Sequence, residues 1–159
     1  MPIKLRWVGP FNLVDGAKEH LIYTIPNKGT IPEGPGVYVF SRLYGDNVVE
    51  PLYIGKAKNV RDRIPQHLTK NVKLMTRIKN IPLNGSRVLH VGVLEDHQGM
   101  PTESAIRIAE RALISAAIIK GYELLNLQGT KTPVYTIEGS GRKDARRWWP
   151  DINTLEVPK

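Results

Sequence analysis

The chain reads as an α/β protein of the α+β type, a small three-stranded antiparallel β-sheet flanked by helices. Three stretches predict it. Gly36 to Gly55 holds two apolar-alternating segments on either side of a turn, Ser86 to Glu95 is a run of β-formers between Gly85 and Asp96, and Thr102 to Lys120 carries apolar residues at helical spacing. A length of 159 residues with 41% hydrophobic composition suits a single domain, 1–159, with a modest core and extensions. There is no internal repeat and no low-complexity tract.

Taken in order, residues 1–34 are broken by Gly9-Pro10, Pro26, Gly29, Pro32 and Gly34-Pro35, so residues 1–35 are expected as an irregular N-terminal wrap. In the hairpin, Val37, Val39, Leu52 and Ile54 alternate with Tyr38, Phe40 and Tyr53, a period of two that sends both tyrosines to the face away from the valines. A two-residue II′ turn at Gly45-Asp46 would set Tyr44 against Asn47 and Tyr38 directly opposite Tyr53. A helix from about Ala57 to Leu68 follows, then a shorter one from Val72 to Ile81 that Pro82 closes. His90 reads as a packing residue of the third strand. The last helix has Pro101 before it, Thr102 as its cap and Gly121 at its end.

Charge narrows the class of partner. Lys and Arg number 23 against 15 Asp and Glu, a formal charge of +8, which favours an acidic polymer. Lys56 to Asn80 carries eight bases (Lys56, Lys58, Arg61, Arg63, Lys70, Lys73, Arg77, Lys79) against the single acid Asp62. Such a run is most often only a solvated face, but it begins at a strand end, and Arg63 and His67 lie four apart on one helical face. No cysteine is present, so disulfides and thiolate metal sites are excluded, and the four histidines, His20, His67, His90 and His97, lack zinc-site spacing. Without an apolar leader or a membrane-length apolar run, a soluble, cytoplasmic protein with no membrane partner is expected.

Gly36-Val37-Tyr38, the segment from Tyr53-Ile54-Gly55-Lys56 through Arg61-Asp62-Arg63, and His67 together resemble the signature of the GIY-YIG nucleases. The resemblance extends to Glu110, similar to that family's metal-binding glutamate, and to Asn126, similar to its closing asparagine. It covers 36–126 as a nuclease core and leaves 127–159 as a basic and aromatic C-terminal extension of a stand-alone domain. The joint match is specific where each element alone would be weak. Two features depart from the family pattern: a longer hairpin between the tyrosines, and Pro65 between Arg63 and His67, where it removes a helical hydrogen bond.

Ile106, Leu113, Ile114 and Ala117 fall three, four or seven residues from Glu110, which places this carboxylate on the apolar stripe of its helix. A buried carboxylate requires a cation. An arginine ion pair would serve, but the resemblance implies a metal, Mg²⁺ or Mn²⁺. The resemblance further implies hydrolysis of phosphodiester bonds, with DNA favoured over RNA. In that scheme one tyrosine is general base, Tyr38 being preferred, and the other positions the water. Arg63 stabilises phosphate charge, Lys56 orients the nucleophile or lowers a phenol pKa, and His67 accepts a proton. Lys58, Arg61 and Asn126 join the substrate surface, Asn126 mainly as a structural residue. In the tail, Arg146 and Arg147 beside Trp148 and Trp149 either hold phosphates and stack a base or dock the tail on the core. The rival class is a nucleic-acid-binding module that keeps the fold and lacks cleavage. A toxin or defence nuclease would share the chemistry, and oligomeric state is left open.

Overall fold

The computed structural model describes residues 2–18, 21–97, 99–126, 136–141 and 154–156. In chain order the elements are β1 (Pro2–Asn12), β2 (Val14–Lys18), β3 (Leu21–Thr24), β4 (Gly36–Tyr44), β5 (Val48–Ala57), α1 (Val60–Lys70), α2 (Val72–Asn80), β6 (Ser86–Asp96), α3 (Thr102–Ile119), β7 (Thr136–Gly141) and β8 (Thr154–Glu156). The expected antiparallel trio is β5, β4 and β6, within a six-stranded sheet ordered β5-β4-β6-β1-β7-β8; β2 and β3 form a separate two-stranded sheet. No helix among the described residues is long and apolar enough to cross a membrane.

The N-terminal stretch corrects the sequence expectation. Instead of an irregular wrap it supplies β1, antiparallel to β6, with Gly9-Pro10 absorbed at a register shift between Val8 and Phe11. A bulge tolerates a proline because that position has no ladder bond to donate. Its core residues Ile3, Leu5 and Trp7 alternate as a strand should.

The hairpin register also differs. The turn is three residues, Gly45 to Asn47, because Tyr44 pairs with Val48, and both Gly45 (φ 53°) and Asn47 (φ 61°) adopt left-handed backbone. That register places Arg42 opposite Glu50, where Arg42 Nε donates to Glu50 Oε2 at 2.9 Å and the Tyr44 hydroxyl to Oε1 at 2.7 Å. A second shift between Phe40 and Ser41 makes Leu52 the bulged residue. Tyr38 therefore pairs with Gly55 and Tyr53 with Phe40, so the two tyrosines are diagonal neighbours on a shared face, not directly opposed.

Each face of the sheet has its own core. On one, Val37, Val39, Ile54, Leu5 and Trp7 pack against the Ala105, Ala109, Ala112 and Leu113 stripe of α3. On the other, Tyr38, Phe40, Leu89 and Val91 pack under Val60, Ile64 and Leu68 of α1 and Leu74, Met75 and Ile78 of α2, with Tyr23 and Ile25 from the N-terminal region. Helix α1 starts at Val60, later than expected, because the Asn59 side chain caps it by accepting from Arg61 N. It runs on through Pro65. Helix α3 begins at Thr102, with Pro101 rather than Thr102 at the cap position and no side-chain cap bond; Gly121 (φ 86°) terminates it.

Buried Arg87 ties α2 to the sheet. Its guanidinium donates to the carbonyls of Ile78, Ile81, Leu83 and Gly85 at 3.0 to 3.1 Å, answering acceptors around the end of α2 that no helical N–H reaches. This sets where α2, and with it Asn71, stands above the tyrosine face.

Candidate active site

The site grows from the tyrosine face of β4 and β5, at the β5 edge. The Tyr38 ring lies over Gly55, where a Cβ would come within 2.4 Å of its Cζ and hydroxyl oxygen. Only glycine leaves that ring its place. The hydroxyl lies 2.5 Å from Nε2 of His67, which is 1% exposed in the middle of α1. The Tyr53 and Phe40 rings surround the same imidazole with centroids at 6.2 and 6.1 Å, and Tyr38 meets it edge-on at 5.2 Å.

The imidazole tautomer follows from its other neighbour. Asn71 is the cap of α2, and its Oδ1 accepts from Leu74 N at 3.3 Å, so its Nδ2 is the atom that faces His67 Nδ1, also at 3.3 Å. An imidazole that accepts at Nδ1 carries its proton at Nε2. His67 therefore donates to the Tyr38 oxygen. Burial and the nearby Arg63 charge pull the His67 pKa down to about 4, so the ring is neutral near pH 7. Burial also raises the Tyr38 phenol far above its ordinary value, with Tyr53 adding to the rise and Arg63 opposing it. Tyr53 is raised by burial and then by Glu110, with Arg63 again opposing. The resting site thus holds neutral phenols: burial outweighs the cations expected to favour a phenolate.

Glu110 reaches this region from α3 on the opposite face of the sheet, past the β5 edge. It is half-buried with a carboxyl pKa raised by burial, against the lowering fields of Lys56 and Arg111. It forms no ion pair among the described residues, so the arginine-partner alternative is not what the fold provides. Arg63 is exposed; its Nη1 donates to Gln66 Oε1 at 3.1 Å, and its guanidinium also stands as a donor to the Tyr38 hydroxyl, where it lowers the phenol pKa. Lys56 is exposed at the end of β5. Among the described residues no three His, Asp or Glu side chains gather into a metal cage. One carboxylate facing a polar cleft suits a cation that keeps most of its water, as Mg²⁺ does, and does not suit zinc.

Comparison with known proteins finds relatives over part of the chain. The chain is 32% identical over 78 residues to UvrABC system protein C of Salinispora tropica, covering 49% of this chain and 11% of that protein. It is 48% identical over 40 residues to that of Petrotoga mobilis, covering 25% and 6%. The chain of Acidobacterium capsulatum is 28% identical over 75 residues, covering 47% and 11%. These matches bear out the GIY-YIG resemblance. The chain spans 11% or less of the length of these curated relatives. No family model and no solved structure matches.

Against the GIY-YIG pattern, the fold brings Tyr38, Tyr53, His67, Arg63, Lys56 and Glu110 to one sheet edge and gives other expected residues different partners. Lys58 pairs with Glu103 at 2.5 Å on an exposed surface. Arg61 is engaged by the N-terminal region, Nε donating to Ile31 O at 2.6 Å and Nη1 to Glu33 at 3.1 Å. Asn126 clamps β5, accepting from Ile54 N at 3.0 Å and donating to Ile54 O at 2.6 Å. It locks the edge strand beside Tyr53. Arg146 and Arg147 lie outside the described residues. Asn71 was missed by sequence reasoning, although an asparagine directly before a helix and four residues after a histidine was the available signal.

Proposed function

We propose that this chain is a divalent-metal-dependent endonuclease that hydrolyses phosphodiester bonds in DNA. One observation carries the reading: a hydrogen-bonded tyrosine–histidine pair, an outward-facing arginine and a half-buried carboxylate without an ion pair converge on one sheet edge. The UvrABC system protein C relatives support the nuclease class.

Glu110 would hold Mg²⁺ or Mn²⁺, which supplies charge neutralisation at the phosphate. Arg63, with its planar donor fork turned outward, binds a non-bridging phosphate oxygen and meets the charge that grows there in the transition state. Tyr53, between the fields of Glu110 and Arg63, orients the attacking water. Tyr38 is the general base. Tyr38 acts once its phenol proton has passed to solvent, the phenolate being met by the His67 Nε2–H and by Arg63. As the bond from water oxygen to phosphorus forms and the phosphorus–oxygen bond to the leaving strand breaks, the water proton goes to that phenolate and the leaving oxygen takes a proton from solvent. His67 is then a donor that supports the base rather than a proton acceptor at Nε2. Lys56 holds Glu110 toward its ionised form.

The rival reading, a nucleic-acid-binding module without cleavage, draws on the raised phenol pKa values, since an ionised base is disfavoured in the resting site. Incubation with supercoiled, linear, single-stranded and branched DNA, and with RNA, with and without Mg²⁺, decides between them. Mg²⁺-dependent cleavage of DNA is expected; binding without cleavage of any substrate would establish the rival.

A further inference from the structure

Beside the reacting groups a cleft of about 400 Å³ opens between α2 and α3. Tyr53 and Glu110 line it at the catalytic side, and Lys73 and Arg77 line it from α2. It is continuous with the centre described above. A separate cleft of about 380 Å³, lined by Lys56, Asp62 and Arg63, lies on the other flank. The reacting groups are thus bracketed by two basic clefts.

Lys73 and Arg77 are one turn apart, about 6 Å along the helix axis, which puts them on one face. Both are exposed, while Leu74, Met75 and Ile78 turn the other face of α2 into the core. Neither pairs with an acid among the described residues, whereas Lys58, Arg61, Lys79 and Arg42 each do. Nor do they serve the catalytic carboxylate, whose lowering fields come from Lys56 and Arg111. Two cations one turn apart on the same helical face, without an acid partner among the described residues, stand beside a carboxylate that repels anions. Leu74 and Leu125 add an apolar lining, so the cleft offers cationic contacts and an apolar wall together, the combination that a phosphate–sugar backbone presents in complement.

We propose that this cleft holds the phosphate backbone of the DNA strand on one side of the cleaved bond, with Lys73 and Arg77 as its phosphate contacts. The assignment rests on the nuclease reading and adds the strand's path: from the Arg63 flank, across Glu110 and Tyr53, and out along α2.

The test is a salt series of binding to labelled duplex and single-stranded DNA in divalent-free buffer, comparing wild type, the double variant Lys73→Gln with Arg77→Gln, and a control that loses the same charge outside the cleft, Lys28→Gln with Lys120→Gln. Losing two phosphate contacts should flatten the slope of log affinity against log salt by about 1.8 on duplex and about 1.4 on single strands. The control should follow the wild-type slope. A cleft variant with the wild-type slope, or one no flatter than the control, overturns the subsite while leaving the nuclease reading intact. Wild-type protein without salt-dependent DNA binding overturns both. Melting curves establish that the variants are folded, which is expected because both side chains are exposed.

Discussion

His67 donates its Nε2–H to the Tyr38 hydroxyl oxygen across 2.5 Å, and the direction of that bond is set four residues further on, by the Asn71 amide. A helix cap and an imidazole tautomer are thus one hydrogen-bond chain, running Leu74 N to Asn71 to His67 to Tyr38.

Asn71→Asp separates the two roles. Aspartate still caps α2, so stability should change by well under the roughly 1 kcal/mol of a lost cap. Its carboxylate accepts from Nδ1–H, so His67 turns an unprotonated Nε2 toward Tyr38. Cleavage at saturating substrate should fall on the order of 10- to 100-fold, as for lost outer-shell partners. A kcat at the wild-type value with an unchanged melting temperature would remove the tautomer from the mechanism.

Stability should fall in mild acid because of His67. Its folded pKa, about 4, lies below the ordinary value of 6.5, so the unfolded chain takes up the proton first as pH drops. The loss begins near pH 6.5 and is complete near pH 4, about 3 kcal/mol for this group. Denaturant melts of wild type and His67→Gln between pH 4 and 8 should converge toward the acid end; parallel curves would refute the assignment.

Glu110→Gln should abolish metal-dependent cleavage by orders of magnitude without lowering the melting temperature in metal-free buffer at pH 7. Its folded carboxyl pKa is raised, chiefly by burial, so its favourable contribution is present below the unfolded value and is lost as pH rises through the folded one. Removing the ionised group therefore relieves a penalty. DNA binding without metal should hold or tighten. Wild-type melting with wild-type cleavage in Mg²⁺ would sink the metal site, and a marked drop in melting would reinstate an ion-pair role.

Gly55→Ala should damage the site through Tyr38. A Cβ there meets the phenol ring at 2.4 Å, so the ring must leave its bond with His67 or β5 must shift. Overpacking of this kind costs about 1 to 3 kcal/mol. Cleavage should fall more than substrate binding does, which separate measurements of kcat and Kd would reveal.

The periods of the hairpin and of α3 were legible in the chain itself, whereas the Ile3, Leu5 and Trp7 alternation of β1 went unread among the Gly and Pro breakers. The alternation around Tyr38 and Tyr53 put both phenols on one face, and the apolar stripe of α3 brought Glu110 toward the protein at a half-buried position, because side-chain direction repeats every two residues in a strand and every 3.6 in a helix. What needed the tertiary structure depends on partners far apart in sequence. The N-terminal stretch becomes β1 only because β6 offers it an edge, despite Gly9-Pro10. The tyrosines become diagonal because the three-residue turn and the Leu52 bulge each shift the register by one, and the resulting two-residue slip keeps both phenols on one face and so leaves no mark in local alternation. Likewise, cations that look equivalent along the basic run divide into those with acids or carbonyls to meet, Lys58, Arg61 and Lys79, and those left facing the clefts, Arg63, Lys73 and Arg77. Composition counts charges, but only packing decides which of them already have a partner.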